Sequence, residues 1–208
     1  MRRVRKSRTK YAFYQFNTFR TLGMFNLLDK QNSESIYAVV EYLATDGFVE
    51  SPQNFSRMNV FSKFNTYFND NSRLTLTASH FTSKWDASGQ IPQRAVDDGT
   101  ITRFGAIDDT EGGQTSRTNL NAQFNKELSD NTSVSANVFY TKYDFKLFSN
   151  FTFFLDDPIN ADQIKQQESR DIFGFNSQFV KNTSFGDSDV RWVVGTGLRA
   201  DMINNIEL

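Results

Sequence analysis

Seven polar residues between positions 90 and 109 could contact a ligand in this chain of 208 residues. They are Gln90, Arg94, Asp97, Asp98, Arg103, Asp108 and Asp109. A guanidinium group pairs with a carboxylate through two parallel hydrogen bonds, so the two arginines could hold an anionic ligand. They could instead form salt bridges with the neighbouring aspartates. The sequence leaves both alternatives open.

The rest of the chain shows no catalytic constellation. His80 is the only histidine, and the absence of cysteine excludes disulfides and thiolate metal sites. Three acidic pairs, at 97–98, 108–109 and 156–157, offer oxygen ligands of the kind that bind Ca²⁺, but their spacing lacks the register of an EF-hand loop. We therefore expect a protein that is not an enzyme and that has no metal and no cofactor.

The composition favours alternating strands over a compact soluble domain. Hydrophobic residues make up 38% of the chain, a low share, yet 22 residues are Phe and only three are Pro. Strands of a membrane barrel combine low hydropathy with many aromatics, because half of each strand faces water. No apolar run reaches the ~18 residues that a transmembrane helix needs. The net charge of -1 gives no argument for a nucleic-acid partner, and we expect none.

Residues 115–148 give the clearest secondary-structure signal, two strands joined by a tight polar reversal. Apolar and polar side chains alternate at period two, the signature of a strand with two different faces. The apolar positions are Leu120, Ala122, Phe124, Leu128, Val134, Ala136, Val138 and Tyr140. The polar positions carry amides and hydroxyls, where a solvated strand more often carries Lys and Glu: Asn119, Asn121, Gln123, Asn125, Ser135, Asn137 and Thr141. This combination is typical of an outer-membrane β-barrel wall.

The remaining pattern extends this hairpin into a meander. Further strands are predicted at 36–45, 57–68, 73–85, 169–180 and 190–200. With the two strands of the hairpin and a weaker one at 11–21, this gives about eight in all. Short reversals alternate with long connections at 86–114 and 149–168, so the short turns share one end of the sheet and the long loops the other. In a barrel the long loops are extracellular and the short turns periplasmic. We predict an all-β, antiparallel up-and-down meander that is part of a transmembrane β-barrel.

Residues 1–35 give a weaker signal and are interpreted as a poorly defined basic segment. A strand is predicted at 11–21, and a short helix or a loop at 22–35. The first ten residues include six basic side chains, but no continuous apolar stretch and no cleavage site of an export signal follow. Because an outer-membrane protein must be exported, we expect this chain to be a fragment, with residues 36–208 forming the partial barrel.

Several stretches resemble the barrel region of TonB-dependent outer-membrane receptors. They are VVEYLATDGFVE (39–50), the segment from RMNVFSKF to FNKEL (57–128), and TSVSANVFYTKYDFKLFSNFTFFLDDPIN (132–160). The loop that contains GQIP (89–92) and RFGAIDDTEGG (103–113) is the most similar part. The resemblance covers roughly residues 36–180 and consists of barrel and loop sequence, without a catalytic signature.

This resemblance implies a section of a large plugged barrel of the 22-strand class. Receptors of this family capture a scarce ligand, such as a ferric siderophore or cobalamin, and receive energy through TonB. The resemblance therefore implies a bacterial outer-membrane location and lipid around the wall. It also implies a small ligand at the extracellular loops, and contact with TonB through parts outside this sequence.

Two other interpretations fit the strand pattern. A complete eight-stranded outer-membrane barrel would act as an anchor or adhesin, and its first strand would close on its last. A soluble β-sandwich or lipocalin-like binder would bury Leu120, Ala122 and Phe124 against a second sheet. An open sheet with two unpaired edges would instead favour a section of a larger barrel.

Overall fold

The computed structural model describes residues 7–30, 33–159 and 162–207, which form one sheet of nine strands. One short helix, α1 (Gln93–Asp97), lies between the fifth and sixth strands. The strands are β1 (Arg8–Tyr14), β2 (Thr18–Lys30), β3 (Glu34–Thr45), β4 (Phe55–Tyr67), β5 (Ser72–Asp86), β6 (Gly112–Ser129), β7 (Thr132–Asn150), β8 (Gln163–Phe185) and β9 (Ser188–Glu207). Within these ranges, no helix is both long and apolar enough to cross a bilayer.

Each strand pairs with its neighbours in sequence, and every pairing is antiparallel. The connections β2–β3, β4–β5, β6–β7 and β8–β9 share one end, which we call the short-turn end. The connections β3–β4 (46–54), β5–β6 (87–111) and β7–β8 share the other, the long-loop end, with the tight turn at 15–17. This confirms the predicted all-β up-and-down meander, with one strand more than the sequence indicated. In the described part of the chain, β1 and β9 are the two edges and do not pair with each other.

The sheet has two chemically different faces, which we name after Leu120 and Asn121. On the Leu120 face, register-paired apolar side chains cross the strands, and the Tyr140 and Phe173 rings lie 4.9 Å apart. On the Asn121 face, amides and hydroxyls bond from strand to strand. Asn121 donates to Asn137 at 2.6 Å, and Asn119 accepts from Thr141 and donates to Ser79. Every arginine in the described strands also lies on the Asn121 face.

The apolar band on the Leu120 face runs diagonally across the strands. Ile36 begins the band on β3 and is in register with Leu198 on β9, but the apolar side chains of β9 on this face reach Trp192 and Val190, about six to eight residues nearer the short-turn end. About 20–26 Å along the strands over six spacings of about 4.8 Å corresponds to a slope of about 35–42°. Barrel strands tilt by about this angle against their axis. If the strands are tilted by this angle, the apolar band lies parallel to the plane of the membrane.

The structure has almost no hydrophobic core. Among the described residues, Ala95 is the single apolar side chain classed as buried, whereas Leu120, Val138 and Leu198 are 48%, 54% and 72% exposed. The accessible surface is 14400 Å², against about 9,900 Å² for a compact protein of this mass. In the described ranges, no second sheet covers Leu120, Ala122 or Phe124, so the β-sandwich alternative is wrong. Closure into an eight-stranded barrel is also absent from the described residues.

Several sequence-based boundaries need correction. The predicted strand at 11–21 is interrupted by a turn in which Phe16 and Asn17 have positive φ, and no glycine or proline marks that turn. Residues 22–30 belong to β2, not to a helix or loop; a bulge at Leu27 breaks their alternation. The pairing also slips near Leu128 and between Ser169 and Arg170. The long strand β8 begins six residues before the predicted start at 169.

Gly174 provides a test of the packing on the Asn121 face. It is in register with Phe139, whose ring occupies the space that a Cβ at position 174 would need. We expect Gly174→Ala to lower the free energy of unfolding by about 1–3 kcal/mol, because the ring must leave its position. The measurement is urea unfolding of the protein folded in detergent micelles.

Gly195 is the matched control, because a Cβ there would meet only the Ser177 carbonyl oxygen at 3.1 Å. Gly195→Ala should therefore cost less than Gly174→Ala. The double variant Gly174→Ala/Phe139→Leu should recover part of the loss. Equal effects of the two glycine substitutions, or no recovery in the double variant, would contradict the proposed packing.

Candidate functional site

Three loops meet at the long-loop end and hold one another in place. The loop 46–54 is anchored on both sides: Asn17 donates to Asp46 at 2.6 Å, and Asn54 donates to Asp86 at 2.8 Å. Backbone hydrogen bonds from Asp46 to Phe16 and from Asp86 to Gln53 continue the same line. The loop is therefore attached to the ends of three neighbouring strand pairs.

The loop 46–54 also binds the loop 87–111. Glu50 N donates to the Phe104 carbonyl at 2.8 Å, and the Glu50 carboxylate accepts from Thr102 Oγ1 at 2.6 Å. Ser51 donates to Asp109 at 2.6 Å. The Phe48 and Phe104 rings meet edge to face at 6.3 Å, and both remain more than half exposed. This contact leaves an aromatic surface open at the long-loop end.

The loop 87–111 is bound on its other side to the β7–β8 connection. Arg94 donates to the Phe153 carbonyl at 2.5 Å, and Gln163 donates to Thr110 at 2.8 Å. Helix α1 packs inward through Ala95, which is 3% exposed. The long loop is therefore an ordered structure, although the sequence shows no periodicity there.

Asp108 is the centre of the contact between these loops. It is 5% exposed and accepts hydrogen bonds from the Thr110 amide and hydroxyl and from Asn150 Nδ2, which is 3.0 Å away. Burial acts to raise the pKa of this carboxyl, but the hydrogen bonds from Thr110 and Asn150 outweigh it and lower the pKa. The charged form of Asp108 thus stabilises the base of the loop.

Glu111 lies beside this centre under the opposite influence. Its side chain packs against Gly89, a residue with positive φ, and is 6% exposed. Burial raises the pKa of Glu111; the nearby Asp108 charge raises it further, and a backbone hydrogen bond from Asn150 opposes the shift. Its Oε1 is buried without a hydrogen-bond partner among the described residues. Glu111 therefore keeps its proton to a higher pH than an exposed glutamate does.

The seven residues predicted from the sequence occupy different positions. Asp108 is buried and serves the loop structure, and Asp109 is exposed but bonded to Ser51. The other five are exposed: Gln90, Arg94, Asp97, Asp98 and Arg103. Asp97 accepts a hydrogen bond from Gln93. The pKa of the Asp98 carboxyl is lowered by the Thr100 side chain, then by the Thr100 amide that donates to it, and also by the Arg94 charge. Contact between these residues and a ligand stays a prediction.

Within the described residues, neither arginine forms an ion pair with a loop aspartate, although the Arg94 charge lowers the pKa of Asp98. Arg94 reaches a carbonyl of the next loop, and Arg103 has no hydrogen bond or ion pair within the described ranges. Those ranges also contain no group of three His, Cys, Asp or Glu side chains arranged to hold a metal ion. Arg103 is therefore a cation available to an incoming group.

Sequence reasoning missed the residues that hold the loops together. Asn150 is 1% exposed and uses both ends of its amide, donating to Asp108 and accepting from the Phe153 backbone amide at 2.8 Å. Phe153 and Phe154 have positive φ without being glycine. Asn150 ends β7, whereas the sequence placed it in the connection 149–168, and nothing in the sequence pattern identifies its partner 42 residues earlier.

Comparison with known proteins supports the fold. No protein-family model matches the sequence, and no curated protein matches it. The structure is similar to the crystal structure of the ferric-catecholate import receptor Fiu from E. coli K12 in an open form, with a TM-score of 0.71 and 12% identity. The match covers 93% of this chain and 33% of the receptor chain. The chain thus has the fold of part of a receptor barrel and spans about a third of that protein's length.

The buried carboxyl of Glu111 predicts a pH dependence of the loop 87–111. A pKa raised on folding means that the folded loop binds a proton more tightly than the unfolded chain. This contribution to stability is present at low pH and is lost as the pH rises through the folded pKa. We expect Glu111→Gln to slow amide hydrogen exchange in the loop at pH 7.5, relative to the unaltered protein, and to have a smaller effect at pH 4.5.

At each pH, the exchange rate of the variant is divided by that of the unaltered protein, which removes the intrinsic pH dependence of exchange. Glu111→Ala is the comparison variant, because it removes the same charge together with the packing against Gly89. It should speed exchange at both pH values. If this rate ratio for Glu111→Gln were equal at pH 4.5 and pH 7.5, the result would count against a raised pKa of Glu111.

Proposed function

We propose that this chain is a section of the wall of a TonB-dependent outer-membrane receptor, with the loops 87–111 and 151–162 facing a ligand outside the cell. The observation that carries the proposal is the diagonal apolar band on the Leu120 face. A sheet without a core, with a band that slopes at the tilt of barrel strands, needs a lipid environment to cover it. The similarity to a receptor barrel agrees with this placement.

The open sheet favours a section of a large barrel over a small closed one. β1 and β9 present unpaired edges, and nine strands extend in one direction without closing in the described residues. Free strand edges inside a bilayer are unfavourable, because their backbone groups have no hydrogen-bond partner there. In the proposed receptor, further strands would cover both edges. Energy would come through TonB, in contact with other parts of that receptor.

The ligand we propose is an anionic, aromatic metal chelate of the ferric siderophore class. The exposed Arg103 guanidinium offers charge-assisted hydrogen bonds, and the exposed Phe104 and Phe48 rings offer stacking surface beside it. A ferric catecholate combines both features, and Fiu is named as an importer of such complexes. Cobalamin is the second candidate, but it would interact less with the positive charge of Arg103.

Spin labels on the two faces test the membrane placement. The chain has no cysteine, so Leu120→Cys and Asn121→Cys each give one labelling site at nearly the same height on opposite faces. After reconstitution into lipid vesicles, we expect the label at 120 to be accessible to oxygen and shielded from a water-soluble nickel complex. The label at 121 should show the reverse preference. Equal accessibility at both positions would refute the lipid-facing assignment.

Arg103 tests the ligand assignment. In detergent micelles, we expect a ferric tris-catecholate to bind, and Arg103→Gln to weaken binding by about tenfold, the effect of losing one charge-assisted hydrogen bond. Equilibrium dialysis with labelled iron measures the affinity. Arg191→Gln, which removes a charge near the short-turn end, is the control and should leave binding unchanged. An equal loss in both variants would show non-specific charge attraction only.

A further inference from the structure

The Leu120 face changes character beyond the apolar band, where β5–β8 continue toward the long-loop end. Two register rows of polar side chains lie there. One row carries Lys84, Gln114, Lys146 and Gln167, and the row beside it carries Thr82, Ser116, Asp144 and Ser169. These side chains line a shallow groove of about 580 Å³.

Two lysines in this groove have no partner among the described residues. Lys142, on the band side of the groove, is paired with Asp171 at 3.3 Å, and Lys165, on the other side, is paired with Glu207 at 2.7 Å. Lys84 and Lys146 make neither an ion pair nor a hydrogen bond with another described side chain. They stand on either side of Gln114, about 10 Å apart at two strand spacings. An anion placed over Gln114 can be reached by both ammonium groups.

Asp144 is the acid in these two rows, and it is already engaged. Asp86, one row further out on the same face, accepts a hydrogen bond from Asn54 at 2.8 Å. Asp144 accepts a hydrogen bond from Ser169 at 2.8 Å and lies one row closer to the apolar band than the two lysines. The groove therefore presents two free cations at its outer side and hydroxyl, amide and carboxylate groups below them. Phosphate or carboxylate groups suit the lysines, and sugar hydroxyls suit the others.

The height of the lysines selects among membrane lipids. On β6 and β7 the apolar band ends at the row of Leu120 and Tyr140, and the two lysines lie six residues beyond this row. For strands tilted by about 35°, this separation is about 16 Å along the membrane normal. The polar layer of a phospholipid bilayer is only about 5–7 Å thick on each side. A headgroup that reaches the lysines must extend further, as an anionic saccharide does.

We propose that this groove binds the anionic saccharide headgroup of a glycolipid, with the lipid's acyl chains lying on the apolar band below it. The inference rests on the proposed membrane placement, since the Leu120 face must contact lipid. It concerns a lipid site on the outside of the wall, separate from the loops assigned to the imported ligand. Lys84 and Lys146 bind phosphate or carboxylate groups, and Gln114, Ser116 and Gln167 bind the sugar hydroxyls.

The test is lipid titration of the full chain in detergent micelles, followed by native mass spectrometry. The probe is lipopolysaccharide of minimal length, a diphosphorylated lipid A that carries two carboxylate sugars. Each lysine near a charged lipid surface is worth about a fivefold change in affinity, so Lys84→Gln/Lys146→Gln should weaken binding about 25-fold. Lys126→Gln/Lys181→Gln, on the same face at the short-turn end, is the matched control and should retain binding.

Two further arms identify the source of the anion. Phosphatidylglycerol should bind more weakly and should not distinguish the two double variants, because its phosphate lies too low. Inorganic phosphate at millimolar concentration should not displace the glycolipid. Three results would each overturn the proposal. The two double variants could lose glycolipid binding equally, phosphatidylglycerol could distinguish the two double variants as strongly as the glycolipid does, or inorganic phosphate could displace the glycolipid.

The spin label at position 120 keeps this result separate from the membrane placement. It is read in the same sample before lipid is added. If the label contacts detergent and the variants still bind the glycolipid equally, the groove assignment is wrong and the wall assignment stands. If the label is exposed to water, the wall assignment itself has failed.

Discussion

A single-layer sheet has no interior of its own, so both of its faces depend on what surrounds them. Here the Leu120 face presents a band of large apolar side chains that no other described element covers. Burying such side chains is the main favourable contribution to folding. The Asn121 face presents amides, hydroxyls and all the strand arginines, which need water or polar partners. The surroundings that satisfy both faces are oil on one side and an aqueous interior on the other.

The long-loop end is stabilised differently from the wall. There the chain is stabilised by its own contacts, and most of these are polar: Asp108 with Asn150, Glu50 with Thr102, and Arg94 with Phe153. Such hydrogen bonds order loops that lie in water, where no bilayer is present to stabilise them. The wall is thus shaped by its solvent, while the loops are shaped by one another, and the exposed cation Arg103 lies on a surface that is already positioned.

The sequence predicted the wall much better than the loops. Period-two alternation requires only that neighbouring residues point to opposite faces, so the hairpin 115–148 could be read directly. The prediction of strands failed at Leu27, where a bulge shifts the alternation, and at Phe16, where a turn forms without glycine or proline. The loop contacts join residues far apart in sequence, as Asp108 and Asn150 are, and one sequence without periodicity carries no signal for such pairs. Exposure of Arg103 was foreseeable; burial of Asp108 was not.

The uninterrupted register of the sheet also bears on how such a protein can change over time. Pairing slips at only three places in the described strands, and elsewhere each residue faces the side opposite to its neighbours. Losing or gaining one amino acid inside a strand would turn the remainder of that strand inside out, placing amides in oil and phenylalanines in water, unless a bulge like the one at Leu27 absorbs the change. Changes of length are therefore confined to the rims and to bulges. Diversity in what the protein recognises can accumulate in the loops, while the wall varies by substitution alone.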